Sequence, residues 1–200
     1  MRLFVALDIA NDIRARIQRF VEGVSGFAPD ARWVRPETLH VTLKFIGEKP
    51  DDSVEPIKAA LSSARSQPIE VGFRGCGFFP NPKLPRIFWV GIESGPKLAS
   101  LAAAIDGTLL PLGVLKETHP FNPHITLARA GRSTRPKLRQ RDDRRKELHS
   151  NGPFDHLQGK LTALPVPEFG TMTAREFFLY ESKLFADGSR YFKIARFGLQ

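Results

Sequence analysis

Cysteine is nearly absent: the 200 residues hold one, Cys76. A single thiol makes no internal disulfide, and without a C-x-x-C neighbour it makes no thiolate zinc site. The chain therefore reads as a protein of a reducing compartment, the cytoplasm, with Cys76 as a small buried apolar residue. Long apolar runs are absent too. Leu3-Phe4-Val5-Ala6-Leu7 is too short for a signal-peptide core and is closed by Asp8, and no stretch approaches the roughly 20 residues of a membrane span. No membrane partner is expected. Also missing are G-x-G-x-x-G, a P-loop, G-x-S-x-G and H-E-x-x-H, which removes the common dinucleotide, triphosphate, serine-hydrolase and zinc-protease readings.

What is present suffices for a core. With 42% hydrophobic residues, residues 1–200 are ample for one domain, or two closely packed lobes, with a real core. The formal charge of +9 is concentrated: nine basic residues lie between Arg129 and Lys146 against Asp142 and Asp143, which leaves only +2 for the remainder. Such a block either steers a polyanion toward a neighbouring phosphate site or is a solvated charged segment.

The pattern that carries chemistry is a phrase that occurs twice, His40-Val41-Thr42-Leu43 and His124-Ile125-Thr126-Leu127. In a strand, residues two apart share a face, so each copy presents imidazole beside hydroxyl with apolar residues behind. One buried His-Thr pair is an ordinary structural feature; two are not. From average residue usage, two H-x-T-L matches by chance are expected on the order of once in a thousand chains of this size. The copies stand 84 residues apart, one in each half, as expected if related lobes bring equivalent strands to a shared cleft. Two histidines titrating near pH 6.5 can divide acid and base work, as hydrolysis of a phosphodiester requires. The threonine hydroxyls can donate to non-bridging phosphate oxygens. His119, His149 and His156 have no phased hydroxyl and read as structural or solvent-exposed.

The surrounding pattern predicts strands over residues 2–9, from His40 to Gly47, 69–73, 86–92, at His124, 176–180 and 191–197, with a further extended run at 161–166. Asp187-Gly188 is a hairpin signal between the last two strands. Helices are predicted from Asn11 as N-cap through Val24, around Val54 to Leu61, and from Leu98 to Leu110. The stretch 75–85, rich in glycine and proline, reads as a connection. Trp33 and Trp89 read as core anchors. This balance predicts an α+β protein rather than a doubly wound nucleotide fold.

The paired phrases, Trp33-Val34-Arg35-Pro36 before the first, and Phe121-Asn122-Pro123 before the second resemble the 2H phosphoesterase superfamily. More narrowly, the chain resembles the RNA 2′,3′-cyclic phosphodiesterases, also called 2′-5′ RNA ligases. Met1-Arg2-Leu3-Phe4-Val5-Ala6-Leu7, Phe78-Phe79-Pro80 and Leu179-Tyr180-Glu181-Ser182-Lys183-Leu184 also fit. The resemblance covers nearly the whole chain except residues 131–151. It implies a bilobal, pseudo-twofold fold in which two antiparallel sheets face a central cleft with helices outside, each lobe giving one H-x-T-L strand. It also implies opening of a terminal RNA 2′,3′-cyclic phosphate to the 2′-phosphomonoester without metal or other cofactor. His40 falls on the proton donor and His124 on the proton acceptor, while Thr42 and Thr126 fall on the phosphate-binding threonines. Phe45 and Arg129 match positions that contact the substrate nucleotide. Phe45 is then a stacking surface or a core aromatic, and Arg129 a guanidinium clamp or a surface charge. The implied partner is RNA with a cyclic phosphate end, or a small cyclic nucleotide, acted on by a monomer. The alternatives are 2′-5′ ligation by the reverse reaction, a module that binds RNA ends without turnover, and a metal-dependent hydrolase with histidine ligands.

Overall fold

The computed structural model describes residues 1–131, 152–186 and 188–200. The basic block from Arg132 to Lys146, His149 and Asp187 of the hairpin signal lie outside the described residues. Among the described residues, nine strands and four α-helices follow in the order β1 (Arg2–Leu7), α1 (Asn11–Val24), β2 (Arg32–Trp33), β3 (Val41–Glu48), α2 (Val54–Leu61), β4 (Ile69–Phe79), β5 (Ile87–Ser94), α3 (Pro96–Leu109), β6 (His124–Arg129), α4 (Asp155–Thr162), β7 (Glu168–Ala174), β8 (Glu176–Phe185) and β9 (Gly188–Gly198).

All pairings are antiparallel. One sheet has the order β3-β1-β8-β9 and the other β2-β6-β5-β4-β7, giving the α+β architecture of two sheets with helices outside. The two sheets do not follow the two halves of the chain, taken as β1 to β4 (residues 1–86) and β5 to β9 (residues 87–200). β4 leaves the first half to pair with β5, and β8 leaves the second half to pair with β1. In each sheet the motif strand and its central neighbour, β3-β1 or β6-β5, come from one half, and the next strand comes from the other. Helices cross over likewise: α1 packs on β7, and α3 packs on β3 and α2.

β1 is buried from Leu3 to Leu7 instead of alternating, because both its faces are covered. Leu3, Val5 and Leu7 join the main core with Leu43, Phe177 and Leu179, while Phe4 and Ala6 form a second cluster with Phe178 and Tyr180 on the other face. That second face carries the first motif.

Three predicted elements differ. β4 does not stop at Phe73 but continues to Phe79. Gly75, at φ +72°, lies where the β4–β5 register slips between Phe73 and Cys76, so the strand kinks and resumes. Residues 161–166 are not a strand: α4 ends at Thr162, Leu164 and Val166 are exposed, and the strand is the more polar Glu168–Ala174. Pairing with β4, packing against α1 and burial of Phe169 and Ala174 in the core overrode its weak hydrophobic signal. Asn11 is already helical, and Ala10 occupies the cap position without a side-chain bond.

Candidate active site

His40 precedes β3 directly and His124 opens β6. Thr42 pairs with Ala6 of β1, and Thr126 with Trp89 of β5. The same irregularity follows in both strands. Val5 pairs with Lys44 and Ala6 with Thr42, leaving Leu43 unpaired; Phe88 pairs with Ala128 and Trp89 with Thr126, leaving Leu127 unpaired. The leucine of each phrase is thus a β-bulge, which shifts the side-chain alternation by one residue. Leu43 and Lys44 both turn to the core side, as do Leu127 and Ala128. The fifth residue after each histidine returns to the motif face: Phe45, opposite Phe4, and Arg129. Strict alternation would have sent both to the back.

Phe45 is therefore not a core aromatic. It is 58% exposed, with its ring centroid 6.4 Å from Phe4. Arg129 is exposed at the end of β6. Lys44, by contrast, is buried against Asp106 of α3.

Both imidazoles are held alike. His40 Nδ1 lies 2.7 Å from the Thr38 carbonyl and His124 Nδ1 lies 2.8 Å from the Asn122 carbonyl. A carbonyl only accepts, so each Nδ1 carries hydrogen and donates it, and each Nε2 remains for chemistry. The Thr38 carbonyl belongs to the 3-10 turn Pro36–Thr38. Burial lowers the pKa of both rings, and the charge of Arg129 lowers both further. On His40, His124 also lowers the pKa, while the Thr38 carbonyl and Asp8 raise it. His40 thus senses both His124 and Arg129 from the opposite sheet, and β3 packs against β6. The pair of motifs meets at one place.

Aromatic rings flank each histidine. The His40 ring is 4.9 Å from Phe4 and 5.2 Å edge-on to Tyr191; the His124 ring is 4.9 Å edge-on to Phe79. Phe79 stacks on Trp89 at 5.0 Å, and Trp89 shares a ladder position with Thr126. Trp89 is therefore on the motif face, not a core anchor; the bulge at Leu127 sets that register. Trp33 is a core anchor as expected, edge-on to Phe88, with Nε1 donating to the Ala28 carbonyl. His119 and His156 are exposed.

Sequence reasoning passed over the residues around a cavity of about 470 Å³ beside His40, lined among others by Asp8, Arg14, Tyr180, Tyr191 and Lys193. The available signal was period two: Phe4 and Ala6 face the motif side, and Asp8 is next in that phase. No group of three or more His, Cys, Asp or Glu side chains is placed to hold a metal ion among the described residues, and no helix there is long and apolar enough to cross a membrane.

An α+β cleft with one H-x-T strand from each of two sheets defines the two-histidine class of phosphoesterases. The sequence pattern of the LigT-like phosphoesterases matches twice, over residues 7–89 and 90–191, once for each motif. The chain belongs to the LigT-like phosphoesterase family. A protein of Methanocaldococcus jannaschii named RNA 2′,3′-cyclic phosphodiesterase is 30% identical over 192 residues, 96% of each chain. One of the same name from Archaeoglobus fulgidus is 36% identical over 132 residues, 66% of this chain and 74% of its own. A crystal structure from Thermus thermophilus superposes with a TM-score of 0.75 at 28% identity, covering 100% of this chain and 98% of the other.

Proposed function

We propose that this protein hydrolyses terminal RNA 2′,3′-cyclic phosphates, or small cyclic nucleotides of the same chemistry, to the 2′-phosphomonoester. Supporting this reading is one observation above the rest: two imidazoles, presented from different sheets, each with Nδ1 fixed by its own backbone and Nε2 left for proton transfer. The related proteins carry that activity in their names.

In this reading His124 Nε2 takes a proton from water as the water oxygen bonds to phosphorus. The phosphorus–O3′ bond breaks on the far side, and His40 Nε2–H gives its proton to the departing oxygen. The acid role is given to His40, whose cavity is also lined by the Asp8 carboxylate; burial and Arg129 lower the proton affinity of both rings, and on His40 Asp8 acts against them. Thr42 and Thr126 donate to the non-bridging oxygens, Arg129 stabilises the dianionic product, and Phe45 offers an exposed ring for the base.

The test is incubation with a short RNA ending in a 2′,3′-cyclic phosphate in excess chelator, with the product identified beside a His124→Ala control. A 2′-phosphate end made only by the unmodified protein supports the reading. Binding without product by a folded protein points to an RNA-end binding module, and activity lost in chelator and restored by one metal points to a metal-dependent hydrolase.

A further inference from the structure

The half-sites are alike in tautomer and threonine placement, yet one side of His40 carries a charged arrangement that His124 lacks among the described residues. Arg14, on the first turn of α1, has its guanidinium 2.5 Å from the Pro36 carbonyl and 3.3 Å from the Leu39 carbonyl, to both of which it donates. These two carbonyls bracket Thr38, whose own carbonyl holds His40 Nδ1. The other arm of the same guanidinium donates to Asp8 Oδ1 at 2.8 Å. Lys193 of β9 meets the second carboxylate oxygen, Oδ2, at 2.7 Å, and the Ile9 N–H donates to Oδ1 at 2.9 Å. The Arg14 side chain is only 17% exposed, so this guanidinium is a fixed strut and not a solvated surface charge.

We propose that Asp8 and Arg14 are positioning residues for His40: Arg14 fixes the turn that aims the imidazole, and Asp8 supplies the negative charge against which His40 carries its proton. The proposal rests on the reading of His40 as the acid. Its physical basis is that an imidazolium forced into a half-buried site beside cations must be offset by an anion nearby. The groups that face His40 are Asp8 directly after β1, Arg14 from α1, Glu37 from the turn, Tyr180 of β8, and Tyr191 and Lys193 of β9. His124 and Arg129 act on it from β6. Of the two carboxylates, Asp8 is the one tied by three partners, and it raises the proton affinity of His40 while burial, Arg129 and His124 lower it. Burial pushes the Asp8 carboxyl upward, but Lys193, Ile9 and Arg14 outweigh it and hold the group below its ordinary value, which favours its ionised form.

The experiment is an NMR titration of the His40 ring, its signal assigned by its loss in His40→Ala, run beside the pH profile of kcat for wild type, Asp8→Asn, Lys193→Met and Arg14→Gln. Asp8→Asn is expected to lower the His40 midpoint, leave that of His124 in place and move the alkaline limb of kcat to lower pH by the same amount. On that limb the rate falls roughly threefold for each half unit of lost proton affinity. Lys193→Met, which removes a cation from Asp8 and from the cavity of His40, is expected to raise the His40 midpoint, and Asp8→Ser repeats the test of the carboxylate if Asp8→Asn fails to fold. Arg14→Gln is expected to lower the plateau of kcat roughly tenfold through misplacement of the ring. An unchanged His40 midpoint in Asp8→Asn, or one that does not rise in Lys193→Met, overturns the charge role; an unchanged plateau in Arg14→Gln overturns the strut. Because the NMR midpoint needs no substrate, it judges Asp8 even if the wild type turns over no cyclic phosphate.

Discussion

Lys44 offers the sharpest test of how the first motif strand is tied to the approach to the second. Its side chain is 1% exposed, with Nζ 2.5 Å from Asp106 Oδ1 on α3, itself 9% exposed. The ammonium also donates to the Leu115 carbonyl at 2.7 Å and lies 3.5 Å from Glu117. Glu117 returns its backbone N–H to Asp106 Oδ2 at 3.3 Å. Replacing Lys44 by Met removes the counter-charge and leaves the Asp106 carboxylate with one long N–H bond and the Leu115 carbonyl without its donor. An uncompensated buried charge of this kind destabilises by about 3–5 kcal/mol. Glu117 contributes little to that figure because its side chain is 53% exposed and screened. Replacing both partners, Lys44→Met with Asp106→Leu, removes the charge together with its counter-charge and is expected to leave less than about 1.5 kcal/mol of the loss. Urea unfolding of the wild type, both single variants and the double variant completes the cycle, with equal m values required before the midpoints are compared. A Lys44→Met loss below about 1 kcal/mol, or a double variant as unstable as the sum of the singles, refutes the reasoning.

Further expectations concern the site. Phe45→Ala should change unfolding stability by less than about 0.5 kcal/mol, as for other surface changes, while raising KM for nucleotide substrates; a loss of stability of the size seen for core aromatics would show that it packs rather than stacks. Both motif histidines have pKa values lowered by burial, so the unfolded chain binds more protons than the folded one. Stability should therefore fall as pH drops through about 6.5, the ordinary histidine value, and go on falling until the lowered values are passed. Thermal unfolding at pH 7.5 and 5.5 checks this: in the double variant His40→Asn with His124→Asn, the difference between the two conditions should shrink. Burial pushes the Cys76 thiol up to about 11, so alkylation by iodoacetamide at pH 8 should be slow in the folded protein and fast in denaturant; equal rates would contradict the burial.

The sequence by itself determined the paired motif. The repeated phrase placed imidazole with hydroxyl because alternation in a strand is a local property, fixed by backbone geometry over three residues. The helices α1, α2 and α3 and the strands β5, β8 and β9 were legible from local apolar patterns, and β1 from its continuous apolar run. β4 beyond Gly75 and the weakly patterned β7 were not, because what holds them is pairing with strands distant in sequence. Tertiary structure alone decided three things. It exchanged a strand between the halves, so that each sheet mixes both. It set the bulges at Leu43 and Leu127, which exist only relative to a partner strand and which turn Phe45, Arg129 and Trp89 toward the motif face. And it placed Asp8, Arg14 and Lys193, separated by up to 185 residues, beside His40, which among the described residues distinguishes two half-sites that the two phrases leave alike. Alternation along a strand needs only neighbouring residues; register, bulges and charge neighbourhoods need the partner strand in place.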